Sequence, residues 1–307
     1  MPHDIILHHY PSSPFSEKVR IAFGIKRLSW RAVEQPIIMP KPELLPLTGG
    51  YRKIPVLQLG ADIYCDTQII LRELERRFPE PSIFPLKNKL AYGLAFWSDR
   101  LFFMPSVAVV FGEIGPMIPE AFKKDRAAMS GSSFSTEAMQ AAAPFARDQW
   151  RAHADFVAET LVDGRDFLGG AKPGAADIHA YMNFWWLKAA VPKVAAAMLE
   201  EFPKVESWCA RLAAIGHGSM SPMEPKEALA IAKAASPDAR RAADPFDPRG
   251  LKPGDRVTVA ADDYGRDPVA GEILFSDAHE IAILRSDPDV GDIAVHFPRA
   301  GFTVTKV

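Results

Sequence analysis

Residues 10–20 read YPSSPFSEKVR and join an apolar run at residues 4–10 to a segment with helical periodicity. A serine followed by a proline is typical of a helix start, because serine caps the first turn and proline fits the first helical position. The same position offers unpaired N–H groups and the positive end of the helix dipole, which favour a bound anion such as a thiolate. The stretch therefore predicts a strand, a tight turn and a helix. Its serines, Ser12 and Ser13, are interpreted either as capping residues or as hydroxyl groups that hold an anion such as a thiolate.

The segment after this turn completes a small α/β unit. The first helix is predicted to be amphipathic, with an apolar face of Phe15, Val19, Ala22 and Phe23 and a solvent face of Glu17, Lys18 and Lys26. A proline-rich connection at residues 36–50 leads to a hairpin, IPVLQL and IYC, and then to the helix TQIILRELERRF, which Asp66 caps. We therefore assign residues 1–80 to one α/β domain.

The rest of the chain changes character twice. Residues 87–216 carry apolar side chains at helical spacing only, which predicts an all-α helical bundle domain. Residues 217–249 are rich in proline, serine and alanine and are interpreted as a linker with one short helix. Residues 250–307 contain about five short strands separated by turn sequences, which predicts a small SH3-like β-barrel.

Composition excludes some classes of partner. The 36 Lys and Arg residues nearly balance 38 Asp and Glu residues, and residues 250–307 are acidic, so we expect no nucleic acid and no anionic membrane as a partner. The stretch FFMPSVAVVFG is shorter than the ~18 residues of a membrane helix, and the first residues do not resemble a signal peptide. Two cysteines, Cys65 and Cys209, without a Cys/His cluster predict neither a disulfide framework nor a metal site. We therefore expect a cytoplasmic protein.

Four motifs occur in an order that is typical of one protein family. They are YPSSPFSEKVRIAF, IPVL, CDTQII and, in the helical part, FLGGAKPGAADIHAY. With these motifs, residues 4–216 resemble the glutathione S-transferase superfamily, in its serine-type, bacterial-like form. The resemblance implies a thioredoxin-like glutathione-binding domain at residues 1–80, the helical domain at residues 87–216 and a homodimer. It leaves residues 217–307 as an additional C-terminal part with a β module.

The resemblance implies a catalytic hydroxyl at the start of the first helix. An ungapped match of SPFSEKVR to the serine-type and cysteine-type classes puts the catalytic position on Ser13, with Ser12 as a neighbour that can substitute for it. The hydroxyl of the tyrosine-type classes would fall next to Tyr10. A donor is needed because a free cysteine thiol, with a pKa of ~8.5, is only slightly ionised at pH 7. A pKa lowered by about one to two units corresponds to roughly 1.4–2.7 kcal/mol of preference for the thiolate.

The resemblance also implies a binding site for glutathione as co-substrate. Pro55 is expected to follow a cis bond that turns the backbone of Ile54 toward glutathione. Asp66 and Thr67, at the next helix start, are expected to meet the ammonium and carboxylate groups of its γ-glutamyl end. Lys53 is expected to meet the glycine carboxylate. The implied reaction joins glutathione to a small electrophilic substrate, without a metal.

Other interpretations are open at this point. An apolar group in the helical part is interpreted either as the lining of a co-substrate pocket or as core. Its members are Leu90, Trp97, Phe102, Phe103 and Phe111. The segment before the cis-proline is longer and bulkier than the family's usual form, with the alternative that Tyr51 and Arg52 fill or reshape the glycine subsite. The alternative function is a non-catalytic protein of this fold whose C-terminal barrel binds a partner. A thiol–disulfide reductase is disfavoured, because a serine at position 13 cannot form a mixed disulfide.

Overall fold

One mixed β-sheet runs through the described part of the chain, residues 4–238, 240–242 and 244–307 of a computed structural model. Its strands are β1 (Ile6–His9), β2 (Ser29–Glu34), β3 (Val56–Leu59), β4 (Asp62–Cys65), β5 (Ser219–Pro222), β6 (Arg256–Ala261), β7 (Val269–Ser276), β8 (Glu280–Asp287), β9 (Gly291–Pro298) and β10 (Phe302–Lys306). Across the sheet their order is β10-β6-β7-β8-β9-β4-β3-β1-β2-β5. Strands from both ends of the chain therefore share one sheet.

Helices pack on this sheet and form the middle part of the chain. The first are α1 (Pro14–Ile25), α2 (Leu45–Thr48) and α3 (Thr67–Arg77). A composite helix, Lys89–Met117, follows; it contains α4 (Leu94–Phe96), a π-helical segment (Trp97–Phe102) and α5 (Phe103–Ile114), with a 3-10 turn at each end. The later helices are α6 (Glu120–Ser130), α7 (Thr136–Thr160), α8 (Ala175–Ala190), α9 (Pro192–Leu199), α10 (Pro203–Ile215) and α11 (Pro225–Ala234).

The composite helix is longer than its apolar stretch alone suggests. Its length of 29 residues and the mean hydropathy of 1.4 of its most apolar 18-residue window would suit a membrane span by length and composition, and 33% of that window is buried. Core helices of soluble proteins meet the same criteria, so this is weak support for a membrane span. The helix packs against α7 and α8. It is therefore a member of the helical domain that also has an exposed apolar side.

The N-terminal unit has the thioredoxin-like arrangement that the sequence predicts. β1 pairs in parallel with β2 and antiparallel with β3, and β3 and β4 form the predicted hairpin. α1 and α3 pack against each other beside these strands. β2, with the sequence SWRAVE, was not predicted, because its charged residues interrupt the apolar pattern of a buried strand.

The predicted solvent face of α1 is wrong. Glu17 and Lys18 are each 1% exposed and Lys26 is 3% exposed, because α8 and α10 also pack on α1. Each charge is paired inside the protein, as Lys26 is with Glu75 at 2.7 Å. The periodicity of one helix identifies its apolar face, but it does not show that a second layer covers the polar face.

The predicted C-terminal strands are present as β6 to β10, but the SH3-like barrel is not confirmed. The strands form an antiparallel meander in the order β10-β6-β7-β8-β9. The outer edge of β9 pairs in parallel with β4, where Val295 lies opposite Ile63. The meander therefore continues the N-terminal sheet.

The stretch interpreted as a linker, residues 217–249, packs against this sheet. It contains β5, which pairs in parallel with β2, and the predicted short helix, α11. Ala228 and Ala232 of α11 are fully buried. The side-chain amide of Gln58 on β3 donates to the Ala228 carbonyl at 2.8 Å. The segment thus holds the helical domain and the C-terminal strands to the same N-terminal unit.

The two faces of the N-terminal sheet belong to different cores. Leu57 lies in the cluster formed with α1, α3 and the helical domain, whereas its neighbour Val56 lies in the cluster formed with the C-terminal strands. Successive residues of a strand point to opposite faces. Helices therefore cover one face of the N-terminal unit, and C-terminal residues cover the other.

Candidate functional site

Three turns that carry the predicted site residues meet at one end of the N-terminal sheet. His8 on β1 pairs with Val56 on β3, and Val56 pairs with Cys65 on β4. β1 ends, β3 begins and β4 ends at this edge. The sheet register therefore brings together the turn before α1, the Ile54–Pro55 bond and the start of α3. The Ile54–Pro55 bond is cis, as the resemblance implies.

Ser13 is the N-cap residue of α1. Its hydroxyl oxygen accepts a hydrogen bond from the Ser16 N–H at 3.1 Å, and Pro14 occupies the first helical position. Ser13 is 1% exposed, whereas Ser12 lies exposed in the preceding turn. A serine hydroxyl has one proton and two lone pairs, so this cap leaves the proton for donation. Capping and donation to a thiol are therefore compatible at Ser13.

Tyr10 lies in the same turn. The Ser13 N–H donates to the Tyr10 carbonyl oxygen at 3.1 Å. Burial raises the pKa of the Tyr10 hydroxyl, while the positive charge of Arg126 and a hydrogen bond with Ser13 oppose the rise. The phenol stays protonated near neutral pH and brings a second hydroxyl close to Ser13.

The start of α3 is a second element suited to an anion. Asp66 is its N-cap, with a φ angle of 93° and a carboxylate oxygen that accepts from the Gln68 N–H at 2.8 Å. Burial raises the pKa of Asp66, and the Gln68 hydrogen bond opposes the rise. A positive φ at an aspartate is uncommon and is frequent at functional sites. The other N–H groups of this first turn have no partner within the helix, and the turn begins at the edge where the three turns meet.

A buried ion pair lies behind the start of α3. The Lys18 ammonium group donates to Thr67 Oγ1 at 3.1 Å and to both carboxylate oxygens of Asp99 at 2.8 Å. The Thr67 hydroxyl accepts this bond and keeps its own proton for a ligand. Burial raises the pKa of Asp99, and Lys18 opposes the rise. Sequence reasoning missed the pair, because Lys18 was expected to face solvent and Asp99 belongs to no motif.

Two cations next to the cis-proline turn are paired with residues from other parts of the chain. Lys53, the predicted partner of the glycine carboxylate, binds Asp263 of the loop between β6 and β7 at 2.8 Å. Arg52 pairs with Asp125 on α6. Neither pairing was predicted, because each joins residues that are distant in sequence.

Lys41, in the proline-rich connection, is a third cation that sequence reasoning missed. It is 3% exposed and forms no ion pair with the residues that the structure describes. Burial and the charges of Arg126 and Arg52 lower its pKa to about 8. Its ammonium group lies 5.9 Å from the centre of the Tyr10 ring. The only sequence signal was a lysine between prolines in an apolar segment.

The charges around the cis-proline turn suit an anionic ligand. Four cations cluster there, and three carboxylates accompany them: Lys41, Arg52, Lys53 and Arg126 with Asp66, Asp125 and Asp263. In the described ranges, no group of His, Cys, Asp and Glu side chains is arranged to hold a metal ion.

Tyr51 packs into the core next to the C-terminal strands. Its ring lies 5.9 Å from that of Phe297 and 6.4 Å from that of Phe302, and the residue is buried. Tyr51 is therefore part of the core next to the C-terminal strands. Arg52 does lie beside the cis-proline turn, as described above.

Aromatic rings form a wall beside the turn that carries Ser13. Phe15 contacts Phe103 with ring centroids 4.8 Å apart, and Phe103 stacks on Trp186 at 5.4 Å. The wall continues through Phe111, Phe122 and Phe134. An apolar co-substrate bound here would lie close to the start of α1.

The other predicted lining residues lie elsewhere. Phe102 is fully buried core. Leu90 and Trp97 line an apolar cavity of about 520 Å³ between the composite helix and the end of α7. Ser13 and the start of α3 do not line this cavity. The predicted group is therefore divided among the aromatic wall, the core and a separate cavity.

Comparison with known families gives two matches along the chain. Residues 7–82 match the family described as glutathione S-transferase, N-terminal domain. Residues 108–219 match a domain of unknown function. The first match contains all the predicted binding and catalytic positions.

Known proteins resemble the chain over greater lengths. A crystal structure of a GST-like protein from Pseudomonas syringae is 38% identical and covers 100% of both chains, with a TM-score of 0.82. Glutathione S-transferase U7 from Arabidopsis thaliana is 27% identical over 206 residues, or 66% of this chain and 79% of that protein. FtsZ-localized protein A from Caulobacter vibrioides is 27% identical over 181 residues, or 57% of this chain and 73% of that protein. The end-to-end match and the family match together show that the chain belongs to the glutathione S-transferase superfamily.

Proposed function

We propose that this protein is a serine-type glutathione transferase, in which the Ser13 hydroxyl holds the thiolate of glutathione for attack on a small electrophile. The observation that carries the proposal is the meeting of the Ser13 cap, the cis Ile54–Pro55 bond and the start of α3 at one edge of the sheet. A hydroxyl donor and two helix N-termini at one place favour a bound anion.

The residues at this edge fit the chemical groups of glutathione. The N–H groups at the start of α3 and the Thr67 hydroxyl suit the γ-glutamyl carboxylate, and Asp66 suits the ammonium group beside it. The backbone of Ile54 would bind the cysteinyl part. The cations around the cis-proline turn, including Lys53, suit the glycine carboxylate.

The Ser13 hydroxyl would act as a hydrogen-bond donor and would keep its proton. Donation to sulfur lowers the thiol pKa, so that the proton leaves to solvent and the thiolate attacks the electrophilic carbon. A lone pair of sulfur forms the new bond, and the electrophile's leaving group or π bond accepts the displaced electrons. The aromatic wall beside Phe15 would hold the apolar part of the electrophile.

A Ser13→Ala variant tests this role. We expect turnover of an activated aryl halide with glutathione to fall about tenfold or more, which corresponds to about 1.4 kcal/mol in the barrier. We also expect the pKa of bound glutathione, followed by the ultraviolet absorbance of its thiolate, to rise by about one unit or more. Loss of the bond to the Ser16 N–H should lower the free energy of unfolding by about 1 kcal/mol.

Ser12→Ala is the matched control, because Ser12 is an adjacent but exposed serine. It should leave turnover and the thiol pKa unchanged. Normal turnover in folded Ser13→Ala protein would remove Ser13 from the mechanism. A selective loss in Ser12→Ala protein would transfer the role to Ser12.

We further propose that the protein is a cytoplasmic homodimer. Support comes from an apolar stripe on the composite helix that no described residue covers, which includes Leu90, Leu101 and Met104. Contiguous exposed apolar surface of this kind is typical of an interface.

The second candidate is a non-catalytic binding protein with this fold. The ion pair between Lys53 and Asp263 favours it, because a predicted ligand cation is already paired. One relative is named as an FtsZ-localized protein, which is consistent with a role in protein contacts. Calorimetry with glutathione separates the two candidates: absence of heat and of a thermal shift at millimolar glutathione would favour the binding protein.

A further inference from the structure

The loop between β6 and β7 reaches from the C-terminal meander onto the candidate thiol site. This loop, residues 262–268, contacts the N-terminal unit through the ion pair between Asp263 and Lys53 at 2.8 Å. The ring of the next residue, Tyr264, has its centre 4.5 Å from the same ammonium group. Lys53 thus has a carboxylate and an aromatic face of the C-terminal meander as its neighbours.

The helical domain holds the other side of the same loop. Asp262 pairs with Arg100 of the composite helix. The Gly265 N–H donates to the Met129 carbonyl oxygen of α6 at 2.7 Å. The loop therefore connects the N-terminal unit and the helical domain, and contacts on both sides hold it.

The Asp263 carboxylate is held in place for its contact with Lys53. Its Oδ1 atom accepts the Tyr264 N–H at 2.6 Å as well as the ammonium group. The Lys53 side chain is 12% exposed and that of Asp263 27% exposed, so the pair is partly shielded from water. Burial raises the pKa of the Tyr264 hydroxyl, and nearby Asp263, Asp99 and Tyr10 raise it further, which indicates that the ring lies toward the site.

We propose that Asp263 is a specificity-determining residue of the thiol site, because its carboxylate pairs with Lys53 where a carboxylate of the co-substrate would otherwise pair. This inference rests on the proposed function, since it concerns the group of the thiol co-substrate that would meet the same lysine. A co-substrate carboxylate at this position must displace Asp263. Asp263 is tethered next to Lys53 and therefore competes at a high effective concentration. The wild-type site consequently binds thiols that carry an anionic group at this end, glutathione among them, less tightly than it would without the Asp263 charge.

Removal of the Asp263 charge tests the competition directly. In an Asp263→Asn variant, we expect the Kd for glutathione, measured by calorimetry, to fall by about fivefold or more. The Kd for glutathione with its glycine carboxylate esterified should change less than about twofold, because this ligand has no charge for Lys53. The matched control is Asp267→Asn, which removes an exposed carboxylate of the same segment that forms no ion pair with the described residues. It should leave both values unchanged.

A second measurement does not depend on the thiol. Acylation of Lys53 by a water-soluble ester, followed by mass spectrometry of the full chain, should be several times faster in Asp263→Asn than in Asp267→Asn protein. Faster acylation without glutathione binding in any variant would support the competition by Asp263 at Lys53 and would overturn the proposed glutathione site. Measurable glutathione binding that is equal or weaker in Asp263→Asn than in the control would overturn the role of Asp263. Unchanged acylation of Lys53 would overturn it as well.

Discussion

At the scale of single residues, Lys18 connects the first helix to the start of α3 and to the helical domain. Its ammonium group is buried with Thr67 and Asp99 as partners. The motif around residues 10–20 predicted the helix start correctly, but it did not predict that the polar face of α1 is buried. A buried lysine and an exposed one look the same in a sequence, because the difference depends on the layer that covers the helix.

Lys18→Met should strongly destabilise the protein. The substitution leaves the partly buried Asp99 carboxylate without its cation, and removal of one partner of a buried pair costs about 3 kcal/mol or more. Urea unfolding at neutral pH should show this loss in the free energy of unfolding. The double variant Lys18→Met/Asp99→Leu should recover most of it, because no uncompensated charge is then left. A single variant within about 1 kcal/mol of the wild type would contradict the importance of the pair.

At the scale of elements, the helix and strand boundaries that could be predicted are those set by residues close together in the sequence. At the start of α8, for example, the Gly174 N–H donates to Asp177 Oδ2 at 2.9 Å. Such a cap involves residues three positions apart. The π-helical segment of the composite helix and the strand β2 were not predicted. Both contain polar residues, and the contacts that accommodate these residues come from distant parts of the chain.

The composite helix contains the proposed dimer interface. Leu90, Leu94, Leu101 and Met104 follow one another at spacings of four, seven and three residues and are exposed apolar side chains of this helix, with Leu101 64% exposed. Leu101→Lys should place a charge in the proposed dimer interface and raise the dimer dissociation constant by about 100-fold, measured by analytical ultracentrifugation.

Val162→Lys is the matched control for the dimer, because Val162 is an exposed apolar residue after α7 and outside the stripe. The control should remain a dimer. A wild-type protein that is monomeric at micromolar concentration, or equal dissociation constants for the two variants, would contradict the interface.

At the scale of the whole molecule, the least predictable feature is the pairing of β9 with β4. Each C-terminal strand was predicted from a short strand-like segment between turn sequences, but such a segment does not identify the neighbour of an edge strand. The barrel was expected from about five strands in residues 250–307. In the structure, β4 is the neighbour of β9, and the C-terminal loop consequently reaches the candidate site at Lys53.

His296 on β9 is buried at this junction, and it makes the stability of the junction dependent on pH. It bonds to Asp62 on β4 at 3.1 Å and to Glu280 on β8 at 2.6 Å. Burial alone would lower its pKa, but these hydrogen bonds and charges raise it to about 9. The folded-state pKa is thus above the unfolded value of about 6.5, so the stabilisation is fully present below pH ~6.5 and is lost as the pH rises through about 9.

His296→Gln should remove this pH dependence. The difference in the free energy of unfolding between wild type and variant, measured in urea, should shrink by about 3 kcal/mol between pH 6.5 and pH 9.5, because the charged histidine then no longer distinguishes the two proteins. The difference is the useful quantity, since Lys41, with its lowered pKa, titrates in the same range and changes both proteins alike. A difference that stays constant from pH 6.5 to 9.5 would show that His296 is neutral in the folded protein, and that the contact of β9 with β4 depends on packing and backbone pairing alone.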